Sequence, residues 1–280
     1  FDEPAAFIAV LEAQSAILPQ TPTLDPHLGL PWFRLLAATA MPPGARLALC
    51  RASKQEAPAA FLPLLILPDS PHRILALGNF YTPLFGIVGE EHGDPATLQA
   101  LARQLKTGKP GCDELRLAPM DPLSSSYKLL GESFRNAGWL VDDYFCFGNW
   151  YETIAERDAQ TYLTARPSRL RHTLQRAEKR LAKTPGYELK IFQETGPELD
   201  EAIEAFVTVY NRSWKTPEPY PEFIPGLCRL AAENGWLRLG LLHLDHKPLA
   251  AQIWLVVGKQ AFIVKLAYDQ DFSYLSPGTV

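Results

Sequence analysis

The chain has 280 residues, 47% of them hydrophobic and 21% charged, with a formal net charge of −4. This length exceeds a usual domain of roughly 100–200 residues, so it predicts two packed units in a core-forming protein and excludes a disordered one. The slight acidity excludes a globally basic nucleic-acid binder, and any polyanion site has to be local.

The cysteines, Cys50, Cys112, Cys146 and Cys228, are widely separated. They show neither a disulfide framework nor paired metal-ligand spacing, which points to free thiols in a reducing, cytoplasmic setting. The apolar stretch Ala59–Leu67 is broken by Pro63 and is far short of the ~20 residues of a membrane helix. No signal-peptide pattern opens the chain. Since it starts at Phe1, trimming at both ends is expected.

In the first half, Pro4–Ala16 reads as a short amphipathic helix, followed by a turn-rich stretch from Pro19 to Pro31. Three strands are expected at Arg46–Ala52, Ala60–Leu67 and Arg73–Leu77. Pro95–Lys106 has helical spacing, with Leu98, Leu101, Ala102 and Leu105 on one face. Glu114–Ala118 reads as a short strand, and Ser124–Ala137 as a helix capped by serine and closed by Gly138. Trp139–Phe147 then reads as another strand.

The second half opens on a helix over Ala159–Lys183, broken or kinked near Pro167. Tyr187–Gln193 reads as a strand, and Leu199–Trp214 as a helix with Ile203, Phe206, Val207 and Tyr210 on one face. A proline-rich link, Pro217–Pro225, leads to a helix ending at Asn234-Gly235. Strands Trp236–Leu244, Pro248–Val257 and Gln260–Tyr268 follow, joined by the short polar turns Asp245-His246-Lys247 and Gly258-Lys259, which predicts antiparallel hairpins. The order is mixed α/β throughout. Both halves share a coarse sequence of helix, antiparallel strands and helix.

Several stretches of the second half carry a resemblance. They are Gly235-Trp236-Leu237-Arg238-Leu239-Gly240, Lys247-Pro248-Leu249-Ala250-Ala251-Gln252-Ile253-Trp254, Ala261 to Asp269, and Leu275-Ser276-Pro277-Gly278-Thr279. Arg166-Pro167-Ser168-Arg169-Leu170-Arg171-His172-Thr173-Leu174 and Phe206 to Lys215 add to it. Together they resemble the acetyltransferase-like domain of the FemAB-like branch of the GNAT superfamily, which includes proteins linked to cellulose and exopolysaccharide synthesis. The resemblance covers Ala159 to Val280, whereas the first half is similar only through Tyr81-Thr82-Pro83.

That resemblance implies an α/β (α+β) fold of tandem GNAT-like units, each a mixed, mainly antiparallel sheet flanked by helices. Residues 1–150 would be a degenerate first unit. Residues 151–280 would be the acyltransferase domain, expected to run on past Val280. It implies acetyl-CoA as acyl donor, with Gln260–Tyr268 as the donor strand and Ser276–Thr279 as the pyrophosphate loop. In that reading Ser276, Gly278 and Thr279 hold phosphate through main-chain N–H groups at a helix start, Ser276 serves as N-cap, and the donor-strand backbone around Leu266, Ala267 and Tyr268 supplies the oxyanion contact. The bland alternative is a simple capped helix start. Tyr268 is the implied proton donor to the departing thiolate and Asp269 a possible base, although Asp-Gln-Asp after a strand is also an ordinary polar loop.

Lys265 lies inside the apolar run Phe262–Ala267. As a catalytic candidate it binds an acidic group or acts near the reacting atom; the alternative is an ammonium that reaches solvent along its stem, because burying it unpaired is costly. Gln252 and Trp254 are two apart and share a strand face, whereas Lys265 and Tyr268 lie on opposite faces. Trp214, Lys215 and Tyr81 are further acceptor-binding candidates. On the basic helix, Leu170, Leu174, Ala177 and Leu181 are expected to pack inward. Arg169, His172, Arg176, either Lys179 or Arg180, and Lys183 form a stripe that is either a solvated face or a site for phosphate, polysaccharide or RNA. His243 and His246 straddle a hairpin without a third ligand, so no metal is expected. The expected acceptor is a small molecule or glycan-related amine or hydroxyl. An aminoacyl-tRNA-dependent transferase of the Fem type and a non-catalytic scaffold are the alternatives.

Overall fold

The computed structural model describes residues 1–13, 25–52, 60–89, 93–108 and 111–279, and the side chain of Thr279 is left undescribed. The chain divides into two compact units, Phe1–Phe147 and Gly148–Val280.

In the first unit, α1 (Pro4–Ala13) and α2 (Leu30–Thr39) precede β1 (Arg46–Ala52), β2 (Ala60–Ile66) and β3 (Arg73–Ala76). Then come α3 (Pro95–Thr107), β4 (Glu114–Arg116) and α4 (Ser125–Asn136). The sheet order is β1-β2-β3-β4, antiparallel except for the parallel β3–β4 pair. β2 is almost wholly buried, as its unbroken apolar run requires of a strand covered on both faces. Helix α2 was not anticipated. Its signal is Pro31 in the first turn, followed by the buried Trp32, Phe33, Leu36 and Ala37. The remainder of the helix expected to reach Ala16 lies outside the described residues.

The strand expected at Trp139–Phe147 is absent. Trp139 instead packs edge-on against Phe134 and donates its indole N–H to the Ala102 carbonyl at 2.9 Å. Leu140, Tyr144, Phe145 and Phe147 follow it exposed and unpaired by any strand. Alternation is a property that an extended but unpaired segment shares with a strand, and it specifies no partner.

The second unit begins with α5 (Ala159–Thr164) and α6 (Ser168–Ala182), separated at Pro167 as expected. It continues through β5 (Tyr187–Phe192), α7 (Pro197–Asn211), α8 (Phe223–Glu233), β6 (Leu237–Leu244), β7 (Lys247–Val257) and β8 (Gln260–Tyr268). Pro225, expected in the link, falls within the first turn of α8, where a missing N–H costs least. All strand pairs are antiparallel in the order β5-β6-β7-β8, which leaves β8 at an edge. The two predicted hairpins are present. Asp245 and His246 both take positive φ in the first turn, and Gly258 does so in the second, the geometry that two-residue hairpins favour.

One sheet face is covered by α7 and α8. Phe206, Val209, Tyr210, Phe223, Leu227 and Cys228 are buried on these helices, and Leu237, Leu239, Leu241, Ile253 and Leu255 are buried on the strands. The opposite face holds a smaller cluster of Leu181, Leu242, Leu249, Ala250 and Leu275, with Tyr268 and Phe272 at its margin. Elsewhere on that face Leu189, Ile191 and Ile263 are exposed. On α6, Ala177 and Leu181 pack inward as expected, but Leu170 is exposed. Its position one turn from the start of α6 lies beyond the reach of that small cluster.

Candidate functional site

Lys265 sits on β8 opposite Ile253 of β7, and so on the sheet face that α7 covers. The register slips between Ile253 and Trp254, where Val264 has no partner; such a bulge re-aims the side chains beside it. The Lys265 ammonium meets Glu218 of the α7–α8 link at 2.6 Å, with both side chains largely buried. It also lies 5.4 Å from the centroid of the Tyr210 ring. The acidic partner that a lysine in an apolar strand demands is therefore Glu218. Burial and the Glu218 hydrogen bond push the Tyr210 phenol well above its ordinary value, so Tyr210 is held as a neutral hydrogen-bond donor.

Lys215 completes the group. Its ammonium lies 5.6 Å from the centroids of both Tyr210 and Trp214, within reach of a cation–π attraction. Burial and then the neighbouring charge of Lys265 lower its pKa, against a raising influence from Glu218. Ser213, buried at the end of α7, accepts the Lys215 main-chain N–H at 3.3 Å and donates to the Tyr210 carbonyl at 2.7 Å. Those two bonds fix the turn on which Trp214 and Lys215 project.

Trp214 touches Tyr268, with ring centroids 4.7 Å apart. Tyr268 lies on the opposite sheet face from Lys265, so this contact links the two candidates at the outer edge of β8. Of the residues expected to form the site, Lys265, Tyr268, Trp214 and Lys215 are thus brought together. Gln252 and Trp254 are not part of the group: they bond each other at 2.9 Å on the face opposite Lys265. Tyr81 belongs to the first unit, where it is buried against Phe80, its main-chain N–H held by the Asn79 side chain.

The proposed phosphate loop takes a different form from the one expected. Ser276 is not an N-cap. It closes the second of two 3-10 turns that span Gln270–Leu275 with a kink at Phe272; it is left-handed, φ 55° and ψ 46°, and its N–H donates back to Ser273 at 2.9 Å. Pro277–Thr279 forms one short 3-10 turn, which offers fewer aligned N–H groups than an α-helix start. Gly278 is exposed, but a Cβ placed there would come within 2.9 Å of the Tyr268 ring. Its missing side chain makes room for that ring.

Asp269 is buried and fully employed in the turn. It accepts the Asp271 N–H at 3.1 Å, lies 3.6 Å from the Arg212 guanidinium, and its own N–H donates to Leu249 at 2.8 Å. Leu266 is partly exposed on β8, and Ala267 is buried beside it. The main-chain groups of β8 that point away from β7 have no strand partner among the described residues.

The basic stripe of α6 is exposed. Arg169, His172, Gln175, Arg176 and Lys179 line an open groove of about 540 Å³ from a single helix, with no wall opposite. Arg180 is drawn off by a hydrogen bond to the Tyr274 carbonyl. A smaller cleft of about 200 Å³ lies beside the lysine cluster, between Phe206, Tyr210, Pro217, Glu218 and Ile224. Among the described residues, no group of three His, Cys, Asp or Glu side chains is arranged to hold a metal, and no helix is long and apolar enough to cross a membrane.

Residue types and spacing did not reveal Glu218, Tyr210 or Arg212 as site members. One signal was available: a carboxylate between two prolines, Pro217-Glu218-Pro219, three residues past Lys215.

The fold is mixed α/β, with two sheets flanked by helices. Residues 168–280 match the family described as "Acetyltransferase (GNAT) domain". No curated protein matches the chain in sequence. Among solved structures, the chain is similar to FemX, with a TM-score of 0.53, 12% identity, and 96% of this chain and 81% of that chain covered. It is also similar to the C-terminal DUF2156 domain of a putative lysylphosphatidylglycerol synthetase from Agrobacterium fabrum, with a TM-score of 0.49, 14% identity, and 96% and 74% covered.

Proposed function

We propose that the second unit transfers an acyl group, acetyl from acetyl-CoA, to an amine or hydroxyl of a cell-envelope or polysaccharide-related acceptor held beside the outer edge of β8. The observation that carries this reading is the gathering of Lys215, Glu218, Lys265, Trp214 and Tyr268 at that edge, in a domain matching an acetyltransferase family.

In this reading the acceptor amine or hydroxyl attacks the thioester carbonyl and gives up its proton to solvent. The C–S bond breaks, and the departing thiolate takes a proton from Tyr268, which solvent then restores. The protein's part is alignment and charge stabilisation. Outward main-chain N–H groups of β8 near Leu266 and Ala267 stabilise the developing oxyanion. Tyr268, steadied by Trp214 on one side and Gly278 on another, is placed to protonate the thiolate. Lys265 is held in place by its ion pair with Glu218. Asp269 serves the turn through Arg212 and Asp271, and the reading assigns it no proton transfer.

Titration calorimetry of the chain with acetyl-CoA tests the donor. Saturable binding, weakened by Tyr268→Ala, is expected, and heat indistinguishable from dilution would overturn the assignment. The exposed cationic face of α6, with Arg169 and Arg176, favours a second reading in which the donor is an aminoacyl-tRNA. Charged tRNA binding that falls steeply with salt and is lost in an Arg169→Gln, Arg176→Gln double variant would place that reading first.

A further inference from the structure

The lysine cluster is unequal in charge. Two ammonium groups, Lys215 and Lys265, share one carboxylate, and Glu218 is committed to Lys265 at 2.6 Å. Lys215 has aromatic rings on two sides and, among the described residues, no carboxylate within ion-pair distance. Tyr210 turns its hydroxyl to Glu218, so it offers no compensating negative charge. Arg212 and Asp269 nearby neutralise each other. A half-buried cation left in this condition is stabilised by any anion that reaches it, and a charge-assisted hydrogen bond in such a setting is roughly twice as strong as a neutral one.

Resting on the acyltransferase reading, we infer that the acceptor carries an anionic group, a carboxylate or phosphate, which docks on Lys215 between the Trp214 and Tyr210 rings. Lys215 is then a specificity-determining residue: it selects acidic acceptors and holds the nucleophile toward the β8 edge. Trp214 gives a flat wall for a sugar ring or another apolar body beside the anion. The depressed pKa of Lys215 fits the same picture, since a bound anion would relieve the repulsion from Lys265.

The test is protection of Lys215 from limiting acetic anhydride on the full chain, read by peptide mass spectrometry. Exposed Lys259, in the β7–β8 hairpin turn, is the internal reference. Potassium phosphate is compared with potassium chloride at matched ionic strength. Phosphate is expected to slow Lys215 acetylation severalfold and leave Lys259 unchanged, with stronger protection in Glu218→Gln, where the competing carboxylate is gone. Equal labelling of Lys215 in the two salts overturns the inference. Adding coenzyme A separates the two sources of phosphate. Protection by inorganic phosphate that persists on top of bound coenzyme A assigns the site to the acceptor, whereas competition assigns Lys215 to the donor and overturns this assignment. If coenzyme A fails to bind in calorimetry while phosphate still protects Lys215, the anion site stands and the donor reading fails.

Discussion

The two units build similar antiparallel three-strand arrangements and finish them differently. In the first, β3 is flanked on its outer side by parallel β4, reached through α3. Asp94 caps α3, accepting the Thr97 N–H at 3.0 Å and the Thr97 hydroxyl at 2.7 Å. In the second, β8 has no outer partner among the described residues, and the chain after it forms 3-10 turns. A carboxylate already occupies the electropositive helix start in the first unit and repels a second anion. The second unit instead sets lysines and aromatic rings beside a β8 edge that pairs with no further strand among the described residues. The same scaffold thus serves packing in one half and presents polar chemistry in the other.

The sharpest way to break this contrast is Lys265→Met. It takes the ammonium from Glu218, whose side chain is only 11% exposed and keeps its hydrogen bond with Tyr210, and removing one partner of a buried pair costs about 3–5 kcal/mol. Denaturant unfolding followed at Trp214 is expected to show a loss of this order, with a smaller loss for Glu218→Gln, which keeps a hydrogen-bond acceptor. A Lys265→Met chain as stable as the wild type would mean that the cluster is not a buried unit.

Next in size is Gly278→Ala. Its new methyl group would meet Tyr268 at 2.9 Å, and overpacking of this kind costs about 1–3 kcal/mol. A lower melting temperature is expected, together with weaker acetyl-CoA binding as Tyr268 is displaced. In the first unit, Asp94→Ala removes a cap and is expected to cost about 1 kcal/mol without altering acetyl-CoA affinity. A change in affinity there would erase the functional distinction between the units.

The smallest effect concerns pH. Lys215 in the folded chain releases its proton below the ordinary 10.5 of the unfolded chain. Between those two values the unfolded state holds more protons, so stability rises with pH across that window. Subtracting the Lys215→Met pH profile from that of the wild type should isolate this upward slope, and a flat difference would show that Lys215 is freely hydrated.

Much of the fold was legible because periodicity reports it directly. The three hairpin-linked strands carry polar turns at Asp245-His246 and Gly258-Lys259, and α7 carries its apolar face at Ile203, Phe206 and Tyr210. Short-range rules failed where tertiary pairing decides. Residues 139–147 have strand-like composition but no partner strand, and α2 begins inside a stretch whose prolines suggested turns. The site was half legible. Lys265 advertised itself as a charge in an apolar run and demanded a partner, but that partner sits 47 residues earlier, on a link with no periodic signal. Ser276 shows the opposite failure: Ser-Pro-Gly has the composition of a helix start, yet the left-handed turn depends on the Ser273 carbonyl, which composition does not report.

Hydrogen–deuterium exchange of the full chain, with and without acetyl-CoA, addresses the β8 edge most directly. Slowed exchange confined to Gln260–Tyr268 and the Trp214–Glu218 link is the expected result. Unchanged exchange in those segments at saturating acetyl-CoA, or protection confined to α6 or the first unit, would contradict it.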